Sequence, residues 1–266
     1  MLLLSYLILG ACAGTIAGLF GIGGGLIIVP VLVFSFELQG MSPEVLTHVA
    51  VGTSLATIVV TSISSIRSHH HKQGVRWDLF KPMAVGIVIG AVVGVKLAGQ
   101  LSGPALQLLI GCFAILIAIQ MGFGLKPKPH RQVPGKAGLG VVGGVVGCGS
   151  AIFGIGGGSM TTPYLSWCNV RIQHAIGTSA ACGLPISLAG ALMNIEQGWQ
   201  HPGLMEWSLG YIYLPAFLGI VITSAVFAGF GAKLAHRLPE RTLKRAFAVL
   251  LLVVGSRFIA TAVTGS

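Results

Sequence analysis

Six stretches of this chain, 49–66, 83–97, 106–125, 176–192, 209–230 and 243–261, run almost without charge. Apolar runs near or beyond roughly 18 residues mark membrane-spanning helices. Composition closes off the alternative of a water-soluble domain. Hydrophobic residues make up 54% of the chain and charged residues 8%, with mean hydropathy +0.88. A soluble domain carries about a quarter charged residues, so this chain could not cover a water-facing surface. A membrane β-barrel would show short alternating segments instead. The sequence predicts an all-α polytopic membrane protein.

A net charge of +10, with eight histidines besides, would suggest nucleic acid in a soluble chain. Here the basic residues cluster beside the spans, as loops held on the cytoplasmic side do. No nucleic-acid partner is expected. The five cysteines, Cys12, Cys112, Cys148, Cys168 and Cys182, are scattered and lack a CxxC pair. They read as small buried helix residues rather than a disulfide set or a metal site. HHHK at 69–72 resembles a metal-binding run but has no matched copy, and reads as solvated basic loop. No metal or other cofactor is expected. LGAC at 9–12 resembles a lipoprotein cleavage box, but no basic residue precedes its apolar run. That segment reads as retained helix.

The chain repeats itself. FGIGGGLIIVP at 20–30 returns as FGIGGGSMTTP at 153–163, and AVGTS at 50–54 as AIGTS at 175–179. GVKLAGQL at 94–101 returns as GAKLAHRL at 231–238, after which LQLLIG at 106–111 matches LKRAFA at 243–248 in hydrophobicity alone. Landmarks recurring in one order indicate a duplicated half. The expected division is a first repeat over 1–125, a polar cytoplasmic linker over 126–136 and a second repeat over 137–266. Each repeat would hold one glycine-broken segment and three plain transmembrane helices.

Loop charge predicts how the halves lie. Segment 67–81 is strongly basic and its counterpart 196–206 is acidic. Segment 96–104 holds one charge, whereas its counterpart 233–245 holds Lys233, Arg237, Arg241, Lys244 and Arg245. Basic loops stay inside, so matching loops lie on opposite sides and the repeats are inverted. With 126–136 and 233–245 both inside, the glycine segment between them crosses an even number of times. It would enter and leave on one side, and both chain ends would be periplasmic. Segment 26–36 agrees, being about 16 Å of helix against a ~30 Å hydrocarbon core.

Glycine tolerates the φ > 0 that a reversal within the membrane needs, and Gly24 and Gly157 are the expected positions. Such irregular backbone survives there only under cover of protein or a water-filled cavity. Free N–H groups at the start of a partial helix attract anions. Two inverted copies would set two such starts face to face, the plan of transporters with broken helices. The expected substrate site lies between Gly23, Gly24, Gly25 and Leu26 on one side and Gly156, Gly157, Gly158 and Ser159 on the other. Thr53, Ser54, Thr178 and Ser179 would donate hydroxyls to it. The plainer alternatives are close helix packing for the glycines and bonds back to helix carbonyls for the hydroxyls. A phosphate loop is excluded by the missing GK[ST]. His48 and His174 are candidates for proton coupling or ordinary interfacial residues. Arg257 would snorkel to headgroups or serve as an anion counter-charge.

GTIAGLFGIGGGLIIVPVL, AIFGIGGGSMTTPYL and the two GTS motifs resemble the TauE/SafE family of membrane permeases, over nearly the whole chain. The resemblance implies transport of sulfite, sulfonates such as taurine or sulfoacetate, and related small organosulfur anions across the bacterial inner membrane. The expected function is a secondary transporter, an exporter working by alternating access around a midplane anion site, and not an enzyme. The expected partners are the anion, a coupling proton or sodium ion, and the bilayer. Two other classes stay open. One is an intramembrane serine hydrolase pairing Ser54 with His48 or Ser150 with His174. The other is a small-ion channel.

Overall fold

The structure is a computed structural model that describes residues 6–8, 10–12, 14–15, 25–123, 132–235 and 240–264. Residues 6–8, 10–12 and 14–15 are helical. A short helix α1 (Gly25–Leu38) follows, then the long α2 (Pro43–His71), α3 (Trp77–Ala98) and α4 (Gly103–Gly122). Past residue 131 come α5 (Lys136–Ile152), the short α6 (Gly158–Trp167) and the long α7 (Ile172–Gln197). A hairpin of β1 (Ser208–Leu209) and β2 (Ile212–Tyr213) leads into α8 (Leu214–Ala235) and α9 (Glu240–Thr264). Among the described residues, five helical stretches are long and apolar enough to cross a membrane: Pro43–His71, Trp77–Ala98, Gly103–Gly122, Ile172–Gln197 and Arg245–Thr264. The protein is an all-α polytopic membrane protein.

The order short helix, long helix carrying GTS, then two more long helices occurs twice, as α1 to α4 and as α6 to α9. Each short helix starts at the last glycine of a GIGGG run. Gly23 and Gly24 lie outside the described residues, as do 126–131 of the expected linker and Arg237.

The boundaries differ from the sequence reading in two places. The span expected from 209 starts at Leu214, because Ser208 pairs with Tyr213 and Leu209 with Ile212 in a tight hairpin. The basic segment expected as loop is mostly helix: Arg67, His69, His70 and His71 close α2. His70 Nδ1 accepts from the Trp77 indole N–H at 3.3 Å. Arg257 has a partner on another helix. It pairs with Glu37 at 2.6 Å and lies 4.6 Å above the Phe34 ring, tying α9 to α1. The cysteines divide too: Cys168 and Cys182 are buried, but Cys12 and Cys112 are exposed.

Packing explains the glycine content. Lipid tails are as apolar as leucine, so helices associate by close backbone approach at small residues. On α3, a Cβ at Gly86, Gly90 or Gly94 would overlap the carbonyl oxygen of Gly140, Gly144 or Cys148 on α5. From the other side, Gly143 and Gly147 abut the carbonyls of Met83 and Ile87. The N-terminal residues meet α8 in the same way, with Gly10 against Ile220 and Gly14 against Ser224. α4 and α9 touch at Gly111 and Gly255. The centre belongs to α2 and α7, where Val49, Thr53, Leu55, Thr178, Cys182 and Ile186 are fully buried. Val85, Leu116, Ile222 and Val253, on α3, α4, α8 and α9, face outward.

Candidate functional site

The second glycine run is resolved into separate jobs. Gly154 takes φ +64° and closes α5. Its N–H bonds to the Ala151 carbonyl at 3.3 Å, and the Ile155 N–H bonds to the Ser150 carbonyl at 2.9 Å. That paired pattern is the Schellman motif, which needs a left-handed residue after the helix end. The positive φ expected at Gly157 is therefore found at Gly154, because the reversal is made by the end of α5. Gly157 has φ −57° and caps the start of α6. Its own constraint is space: a Cβ there would lie 3.2 Å from both the Ser179 carbonyl and Ile186 Cδ1. α6 begins at Gly158, and its opening N–H groups have no carbonyl a turn earlier to bond. The helix dipole adds positive potential at that point.

The two runs touch. A Cβ on Gly25 would lie 2.7 Å from Ile155 Cα and 2.8 Å from the Gly154 carbonyl oxygen. Ser54 donates to that same carbonyl at 2.8 Å. Gly25, Gly154, Gly156, Gly157 and Ser54 are thus gathered and buried at one place. Leu26 packs its side chain among Ile27, Ile155, Phe247 and Leu251. Gly158 and Ser159 are half-buried on the first turn of α6.

The GTS motifs form a reciprocal clamp. Thr53 on α2 accepts the Tyr213 N–H at 3.0 Å, just before α8. Thr178 on α7 accepts the Arg76 N–H at 3.0 Å, just before α3. The preceding glycine works with each threonine. A Cβ at Gly52 would overlap the Tyr211 carbonyl, and one at Gly177 the Gly74 carbonyl. In both places glycine admits a carbonyl and threonine takes the N–H two residues later. Sequence reasoning missed this role, although the exact recurrence of GTS was its signal. The structure predicts that Thr53→Val will strand a buried N–H and lower stability by about 1–3 kcal/mol. Thr53→Ser will restore it. A thermal melt of the two variants in detergent reads the difference, and equal midpoints would remove the clamp.

Ser179 stands apart from its partner motif. It is 1% exposed, and its hydroxyl has no hydrogen-bond partner. The hydroxyls of Ser159 and Thr161, on the first turn of α6, are also buried without partners. Burying a hydroxyl unpaired is costly, and three such hydroxyls lie on or beside the start of α6.

His48 Nε2 is 3.1 Å from the Ala98 carbonyl and Nδ1 is 3.3 Å from that of Glu44, with the ring against Tyr211. His174 sits on the first turn of α7 with Nδ1 unpartnered. Neither pairing of the hydrolase reading is formed. Ser54 is spent on Gly154, and Ser150 points to Met160 Sδ at 3.8 Å. A nucleophilic serine needs its base within hydrogen-bond reach. Among the described residues, no group of three or more metal-ligating side chains occurs.

A membrane helix bundle with two glycine-broken short helices meeting inside it can be compared with known proteins. The sulfite exporter TauE/SafE family matches residues 6–258. The chain belongs to this family. It is similar to a probable membrane transporter protein of Haemophilus influenzae, 39% identical over 93% of this chain and 94% of the relative. A probable membrane transporter protein of Methanocaldococcus jannaschii, MJ0441, is 27% identical over 96% of this chain and 94% of its own. YunE of Bacillus subtilis, also a probable membrane transporter protein, is 25% identical over 95% of each chain. No solved structure matches. This TauE/SafE member is a multi-pass membrane transporter.

Proposed function

We propose that the transporter exports a small organosulfur anion, sulfite or a sulfonate, across the bacterial inner membrane by alternating access. The observation that carries this reading is the second glycine run: a half-buried helix start within a membrane protein, beside the buried, unpartnered hydroxyls of Ser159, Thr161 and Ser179. Orphan N–H and O–H donors suit the three acceptor oxygens of a sulfur oxoanion. The two element series act as inverted repeats that rock about this region, with an ion gradient or the substrate's own gradient as drive. His48 and His174 are the candidate proton carriers.

The test is a thermal-shift panel of purified protein against sulfite, sulfate, thiosulfate, taurine, sulfoacetate and carboxylates. A ligand bound only by the folded state stabilises by about 2.7 kcal/mol at a hundred times its Kd. Sulfur oxoanions will raise the midpoint, and uncharged sulfonamide analogues will not. Equal shifts from charged and uncharged members would contradict an anion site.

Inverted repeats also fix the sides. A cysteine placed at Lys136, in a cysteine-free background, will react with an impermeant maleimide only after the membrane is opened. Labelling from outside intact cells would overturn the arrangement.

A further inference from the structure

His48 lies near the start of α2, far along that helix from Arg67 and the histidines that close it, and is 6% exposed. Both of its ring nitrogens face carbonyl oxygens. Nε2 is 3.1 Å from the oxygen of Ala98, the last residue of α3, and Nδ1 is 3.3 Å from that of Glu44, one turn earlier on α2. A carbonyl oxygen only accepts. A neutral imidazole has one N–H and one bare nitrogen, so it satisfies one of these contacts and sets a lone pair against the other. Only the imidazolium donates to both. Two further features suit a cation. The Tyr211 ring stands 5.3 Å away, tilted by 32°, and an aromatic face attracts positive charge within about 6 Å. The end of α3 presents the negative pole of its dipole.

His174 lacks these surroundings. Its Nδ1 is buried without a hydrogen-bond partner, so a second proton there would find no acceptor. Few ionisable groups surround His48. His201 lies 6.0 Å from the Tyr211 ring. The side chains of Glu44 on α2, Lys96 on α3, Glu196 on α7 and Glu206 before the hairpin are exposed, and the first turns of α4 and α8 carry no charge.

We infer that His48 is a proton-binding site, complete in the arrangement described and built from three pieces: α2, the end of α3 and the hairpin turn of the second half. A buried charge is costly without its partners. The proton therefore stays only while Ala98 and Tyr211 are in place, and a movement that parts α3 or the hairpin from α2 releases it. This rests on the transport reading and deepens it: the coupling ion is a proton rather than sodium, and its carrier is His48 rather than His174.

Nitrogen-15 NMR of histidine-labelled protein reads the ring directly, with His48→Gln identifying the signal by its loss. At about pH 5.5, one unit below the ordinary histidine value, both His48 nitrogens will carry protons. A single N–H at that pH would overturn the site. Glutamine keeps N–H donors for the Ala98 carbonyl, and a thermal melt checks that the variant folds. Coupling is read in proteoliposomes with sulfoacetate, whose charge does not change near neutral pH. An imposed pH gradient will speed its movement by wild type and by His71→Gln, an exposed histidine at the far end of α2. His48→Gln will lose that acceleration. Acceleration retained in His48→Gln, or absent from wild type, would overturn the coupling role. Wild type that shows no sulfoacetate counterflow would overturn the anion reading for sulfonates, and the ring nitrogens would then decide the proton site alone.

Discussion

Gly154→Val will leave little folded protein. Gly154 sits at φ +64°, and its Cβ position lies 2.8 Å from Val29 Cγ2 and 3.1 Å from Val51 Cα. Two separate terms add. A β-branched residue at positive φ costs about 1–3 kcal/mol in backbone strain. The overlap with α1 and α2 comes on top, and the Val51 backbone has no rotamer by which to yield. Natural stabilities of about 5–15 kcal/mol do not absorb many such losses. Gly40 separates the two terms. It has φ +73° with nothing within 4 Å of its Cβ position, so Gly40→Val carries strain without overlap. Monodisperse yield from detergent should collapse for Gly154→Val and fall only modestly for Gly40→Val. Equal yields would show that the packing against Val29 and Val51 contributes nothing.

Gly90→Leu will part α3 from α5. No positive φ is involved here. The Cβ would overlap the Gly144 carbonyl oxygen and stand 2.7 Å from its carbon and 2.9 Å from its Cα. All three are backbone, so the helices must separate. Separation would then loosen the neighbouring contacts of Gly86 with Gly140 and Gly94 with Cys148. Overpacking a tight site costs about 1–3 kcal/mol, and more where backbone has to move. Gly135→Leu is the control, since nothing lies within 4 Å of its Cβ position. A thermal melt should show a large drop for Gly90→Leu and almost none for Gly135→Leu. Matching melts would mean that α3 and α5 are not held by their glycines.

The membrane class and the long helices were legible because hydropathy acts residue by residue along the chain. The GTS motifs were visible as a repeat, but not as a clamp. Thr53 binds the N–H of Tyr213, 160 positions away, and nothing in AVGTS names that partner. The glycine run hid its own division of labour. GIGGG offers four glycines, and choosing Gly154 over Gly157 for positive φ requires knowing that α5 ends at Ile152. The hairpin before α8 escaped because SLGYIY is uncharged and runs straight into the apolar span. Arg257 read as a lone charge because Glu37 lies 220 positions away.

The most direct test of the transport claim is counterflow. Proteoliposomes loaded with unlabelled sulfite should take up labelled external sulfite faster than empty ones, with a rate that saturates. An alternating-access carrier must behave so, because internal substrate returns the empty site to the outside. Uptake that neither saturates nor responds to internal sulfite, or no uptake of any sulfur oxoanion, would contradict a carrier of these anions.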